Sequence, residues 1–90
     1  MTRVTSVDEL EPGSVLWAYA RGYWRQVRVV ARARTRARVT YMLYANRPGG
    51  SARLTTQDLP ASRFRRDRPI GVYGVLDVPP PPHYPLGGPA

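Results

Sequence analysis

From Val27 to Leu43 the chain reads VRVVARARTRARVTYML, with apolar and basic side chains alternating almost residue by residue. Successive side chains of an extended strand point to opposite faces, so a period of two selects strand over helix. Val27, Val29, Ala31 and Ala33 share one parity, and Arg28, Arg32 and Arg34 share the other. A turn near Thr35 then leads into a second extended stretch, 36–44. There Ala37, Val39, Tyr41 and Leu43 share one face, and Arg36, Arg38 and Thr40 take the other. The pattern predicts a long hairpin with one apolar and one basic face.

Short strands with turn signals between them account for the flanking sequence. Ser6 and Glu9 have the spacing of a capping box over one helical turn, Val7–Leu10, which Pro12-Gly13 ends. Val15, Trp17 and Tyr19 alternate with Leu16, Ala18 and Ala20, a strand with neither face polar. Arg21-Gly22 turns the chain into the strand that runs from Trp24 to about Ala33. Residues 46–50 form a loop by composition, 51–56 a fourth strand, Asp58-Leu59-Pro60 a single 3₁₀ turn, and 62–65 a short fifth strand. Five antiparallel strands in about 55 residues bury little surface unless the sheet closes on itself, so the expected fold is all-β, a small five-stranded antiparallel barrel. Trp17, Val27, Val29, Val39, Leu43 and Leu54 are its expected core, with Leu59 plugging one end. The expected divisions are a lead-in at 1–11, the barrel at 12–66, an extension at 67–78 and a proline-rich tail at 79–90. The apolar stretch Ile70–Val78 is suited to pair as one more strand, over a barrel edge or the edge of another subunit.

Charge narrows the partners. The formal net charge is +8, with 14 arginines and no lysine, and thirteen of those arginines lie between residues 21 and 68 against only Asp58 and Asp67. A basic middle of this kind suits a polyanion. Cysteine is absent and His83 is the only histidine, so disulfides, a thiol nucleophile and the usual zinc sites are excluded. The carboxylates are scattered, with no histidine beside them, so no acid–base pair is in view and a non-catalytic protein is expected, with no metal and no cofactor. No apolar run approaches the ~20 residues of a membrane-spanning helix, and MTRVTSVDEL has no signal-peptide core. A cytoplasmic protein without a membrane partner is therefore expected. The tail PPPPHYPLGGPA holds six prolines in twelve residues, a composition for polyproline II or for no fixed structure, and a weak candidate ligand for proline-binding modules.

The segments PGSVLWAYARGYWRQVRVV, RARVTYMLYAN and ARLTTQDL together resemble a Tudor domain, one branch of the SH3-like barrels. The resemblance rests on Gly13-Ser14, Ala18-Tyr19, Gly22, Trp24, the run Tyr41-Met42-Leu43-Tyr44-Ala45-Asn46, and Asp58-Leu59. It covers about residues 12–65 and departs from the family at Ala45, where a glycine is usual. It implies an SH3-like barrel. By position it also implies an aromatic cage for a methylated side chain, built from Trp24, Tyr41, Tyr44 and Asn46, with Tyr19 or Ala20 as the first member. Ring faces attract cations by about 0.5–2 kcal/mol per contact, whereas the surrounding arginines repel a cationic ligand. Tyr41 pointing inward as core is the competing reading.

The arginine hairpin is the other candidate site. Arg32, Arg34, Arg36 and Arg38 recur at every second residue and Arg28 extends the row, while Arg25, Arg47 and Arg53 lie close by in a barrel. Guanidinium forks match phosphate oxygens, and Trp24 and Tyr44 are suited to stack on exposed bases. The first expectation is a nucleic-acid-binding protein, for DNA or RNA without sequence specificity. An acidic protein is the alternative partner for the same row. Two further alternatives are a protein-interaction module, working through the aromatic cluster or the tail, and a self-associating homo-oligomer joined through 70–78.

Overall fold

The computed structural model describes residues 4–43 and 52–81. Five strands are present: β1 (Val15–Ala20), β2 (Tyr23–Arg32), β3 (Arg36–Leu43), β4 (Arg53–Pro60) and β5 (Phe64–Arg65). They form one antiparallel sheet in the order β4-β3-β2-β1-β5. The expected all-β architecture is present. The sheet is open, because β4 and β5 stand at its two edges and do not pair with each other.

The lead-in forms a 3₁₀ turn, Val7–Glu9. Ser6 accepts from the Asp8 amide and the Glu9 carboxylate accepts from the Ser6 amide, the reciprocal bonds of a capping box. β1 and β2 are joined by two residues, Arg21 and Gly22, both at positive φ (52° and 82°). That conformation gives a two-residue hairpin turn the twist of its flanking strands, and Gly22 adopts it without steric cost.

One face of the sheet carries the core. Leu16, Ala18, Ala20, Val27, Val29, Ala37, Val39, Tyr41, Leu59 and Phe64 are buried there, with Val4, Val7 and Leu10 of the lead-in. Val27, Val29 and Val39 were expected in this core, and Leu59, expected to plug one end, is buried within it. Trp17 was too, but it pairs with Gln26 and Arg65 on the opposite, outer face and is half-buried. Both parities of β1 are apolar, so its sequence gives no preference for either face. The small side chains Ala18 and Ala20 face inward and leave room for Phe64 and Tyr41, both fully buried. Leu54 pairs with Met42 on the outer face, and Leu43 ends β3 half-buried.

The Asp58–Pro60 stretch expected as a 3₁₀ turn is the end of β4; the turn follows one step later, at Ala61–Arg63. Asp58 is held in the ladder opposite Arg38, and that pairing continues the strand up to Pro60.

The extension makes a single parallel bridge, Trp24 to Val75, rather than a full strand. β3 pairs with β2 only from Arg28 onward, so the Trp24 end of β2 has a free edge. The Trp24 amide donates to the Gly74 carbonyl at 2.7 Å and the Leu76 amide donates to the Trp24 carbonyl at 2.9 Å. Beyond the bridge the chain continues beside β2. Gln26 donates to the Val78 carbonyl at 2.7 Å, and Arg28 donates to the Pro81 carbonyl. Residues 82–90, most of the proline-rich tail, lie outside the described residues. No helix among the described residues is long and apolar enough to cross a membrane.

Candidate nucleic-acid interface

The expected row of arginines on one face does not form, and a bulge is the reason. Val29 pairs with Val39, but Ala31 pairs with Arg38 and Arg32 with Ala37, so an extra residue stands in β2 at Val30. A bulge of this kind reverses the parity of the rest of the strand that carries it. Cross-strand partners share a face. Arg32 therefore lies with buried Ala37 on the core side, and Arg38 lies with Ala31 on the outer side.

The consequence is a clasp around the hairpin end instead of a stripe along it. Arg32 reaches the lead-in and donates to the Asp8 carbonyl at 2.8 Å. Arg38 faces Asp58 across the β3–β4 ladder and donates to it at 2.9 and 3.4 Å. Arg36 stands on the same outer parity as Arg38, opposite Pro60, and Arg34 is in the turn. Arg32, Arg36, Arg38 and Asp58, with Ala31 and Ala33, line an open cleft of about 240 Å³. Three guanidinium side chains and one carboxylate leave the cleft with an excess of positive charge. The hydrogen bond from Arg38 holds the Asp58 carboxyl below its ordinary value, and the charges of Arg38 and Arg36 act in the same direction. Among the described residues, the side chains of Arg34 and Arg36 are not seen in a hydrogen bond or ion pair, although the Arg36 carbonyl accepts from the Ala33 amide.

The remaining arginines of the predicted interface are placed differently. Arg25, expected on the basic face, is 6% exposed. Its Nε donates to the Ala20 carbonyl at 2.8 Å, and its guanidinium lies 5.4 and 5.3 Å from the Tyr23 and Tyr41 ring centres. A cation so enclosed is a structural strut. Arg28 is tied to the Gly13 carbonyl at 2.8 Å and to the Pro81 carbonyl at 3.1 and 3.3 Å, because the extension covers that part of the outer face. Arg53 is exposed at the start of β4, opposite Leu43 and so at the far end of the ladder from the Arg38–Asp58 pair. Arg47 lies outside the described residues.

The aromatic cluster is divided between the two faces. Tyr19 and Trp24 pair across β1 and β2 on the outer face, ring centres 5.4 Å apart and tilted by 60°. Tyr41 is on the core face. Its hydroxyl donates to Gln57 Oε1 at 2.7 Å and accepts from Arg21 Nε at 3.1 Å. A cage containing both Trp24 and Tyr41 is thus not assembled, and the inward reading of Tyr41 is the observed one. Tyr44 and Asn46 lie outside the described residues. The outer pair already holds cations of this chain. Arg63 sits 5.6 Å from the Tyr19 ring centre and Arg65 sits 5.2 Å from that of Trp24. Sequence reasoning missed both arginines; Arg65 is in β5, which pairs with β1, and Arg63 ends the 3₁₀ turn just before it.

No family model, no curated protein and no solved structure matches this chain.

Proposed function

We propose that this chain is a small non-catalytic protein that binds the phosphate backbone of nucleic acid at the β2–β3 hairpin end. The observation that carries the reading is the cleft lined by Arg32, Arg36 and Arg38 with a single carboxylate, Asp58, beside Arg34 in the turn. Planar guanidinium forks with unused N–H donors suit phosphate oxygens. Contacts of this kind position a backbone and carry no base information, so the binding is not sequence-specific. Arg25 and Arg28, held by backbone carbonyls, are not part of this contact set. The fold proposed beneath it is SH3-like, of the Tudor type. A four-strand meander whose short fifth strand returns to β1 after a 3₁₀ turn supports it, together with the residues of the resemblance.

The test is a titration of labelled single- and double-stranded DNA and RNA at two salt concentrations, with wild type and the double variant Arg34→Ala/Arg36→Ala. These two side chains bond to nothing in the described fold, so the variant keeps its structure. Binding in the micromolar range or tighter is expected, weakening with salt by a logarithmic slope of about −0.9 per phosphate contacted on duplex DNA and largely lost in the variant. No binding at low salt, or equal binding by wild type and variant, overturns the proposal.

A further inference from the structure

At the end of β2 away from the hairpin tip, residues 69–76 form a loop that displays apolar side chains to water. Tyr73 is 99% exposed, Ile70 78% and Val72 48%, and Tyr23 beside them is 44% exposed. The display is built rather than slack. Arg68 and Asp77 close the base of the loop with two hydrogen bonds of 2.7 and 2.6 Å. Pro69 is buried at its root. Gly71 and Gly74 take positive φ (75° and 76°), and the Gly74 carbonyl accepts from the Trp24 amide. Gly74 packs against Gly22 and Tyr23, which sets the loop against the β1–β2 turn. The same end of the sheet carries exposed Arg21 in that turn, Arg63 against the Tyr19 carbonyl and ring, and Arg65 over Trp24.

We propose that this loop is an insertion prong for an anionic lipid surface. A small convex tip of isoleucine, valine and tyrosine has little area for docking on a flat protein face, whereas the headgroup boundary of a bilayer yields around it. Tyrosine is at home at that depth, with its ring in the acyl boundary and its hydroxyl in water. Isoleucine and valine gain by leaving water, and each arginine held near an anionic surface adds attraction. The absence of an apolar run in the sequence bears on crossing a membrane, not on lying against one. The prong and the hairpin tip stand at opposite ends of β2, a ten-residue strand, so neither site excludes the other.

The test is co-sedimentation of the full chain with vesicles of phosphatidylcholine alone and of phosphatidylcholine mixed with phosphatidylserine. Wild type is compared with Ile70→Ser/Tyr73→Ser and with Arg34→Ala/Arg36→Ala. Both altered pairs are exposed, and near-UV circular dichroism checks that each variant is folded. Wild type is expected to pellet with the anionic vesicles and much less with the neutral ones. The serine variant is expected to lose about tenfold in partitioning, and the hairpin variant far less. A Tyr73→Trp variant is expected to show a blue-shifted emission on adding anionic vesicles. Three results overturn the proposal: no pelleting with anionic vesicles at low salt, equal pelleting by wild type and the serine variant, or wild-type dimerisation that the serine variant abolishes. The last would assign the prong to a second copy of this chain.

Discussion

Thr40 shows what a single buried atom costs this sheet. It is fully buried on the outer face, between Arg28 and Thr56 in the ladder, and its Oγ1 has no hydrogen-bond partner. A hydroxyl removed from water without compensation lowers stability by about 1–3 kcal/mol relative to an apolar group of similar shape. Thr40→Val keeps the β-branched shape suited to a strand and removes the unmatched oxygen. It is expected to raise the unfolding free energy by about 1 kcal/mol, read as a higher urea midpoint with an unchanged slope. An unchanged or lowered midpoint would show that the hydroxyl is satisfied in solution. Tyr41 is the contrasting case, since its hydroxyl is bonded on both sides, by Gln57 and Arg21. Neither outcome was legible in the sequence. Thr40 falls on the parity that alternation assigns to the polar face, yet it is fully buried.

Strand identity was legible wherever one parity is apolar and the other polar, as in Ala37, Val39 and Tyr41 of β3. It became ambiguous at β1, where Trp17 and Leu16 compete for the core on equal terms, and it failed past Val30. A bulge inserts one residue without any residue type that announces it, so Ala31 and Arg32 in the rest of β2 lie on the faces opposite to those the alternation assigns, while β3 keeps its expected faces. The shift matters for function, because it takes Arg32 out of the row and over to the lead-in, while Arg38 keeps its outer parity and the β3–β4 register sets it opposite Asp58. Asp58 is consequently the one carboxylate lining the cleft, and it opposes an incoming phosphate. Asp58→Asn is expected to tighten nucleic-acid binding at neutral pH by about fivefold at low salt; weaker binding would place the phosphate elsewhere. The same group contributes to acid sensitivity. Its folded value is depressed, chiefly by the Arg38 hydrogen bond, below the ordinary 3.8. The stability this contributes is therefore present above that pH and is lost as pH falls through the lower folded value. Asp77, held down by Arg68, and Glu9, held down by Thr5, follow the same sign. The acid limb of a stability curve is thus expected below about pH 4 and should be shallower, though not abolished, in Asp58→Asn.

At the scale of the whole chain the charge of +8 acts on two equilibria at once, and salt moves them in opposite directions. Ion pairs neutralise part of the surface: Arg38 with Asp58, Arg66 with Glu9, and Arg68 with Asp77. All three lie at the surface, where each pair adds little stability. What remains is an excess of arginine whose mutual repulsion disfavours the compact state. Raising the ionic strength shortens the screening length from about 10 Å at 0.1 M toward 3 Å at 1 M. The melting temperature is expected to rise over the low-salt range, because repulsion among like charges is relieved. Affinity for nucleic acid is expected to fall over that same range, because each counterion released on binding gains less entropy as the bulk concentration grows. The two slopes have a common origin, so Arg34→Ala/Arg36→Ala should flatten both. Calorimetric melting and the binding titration, run on one salt series for wild type and variant, read them together. A melting temperature that falls with salt in wild type would mean that attraction within the ion pairs outweighs the excess repulsion. The arginines would then be held in place by their partners, and the hairpin end would not be the unsatisfied surface that phosphate binding requires.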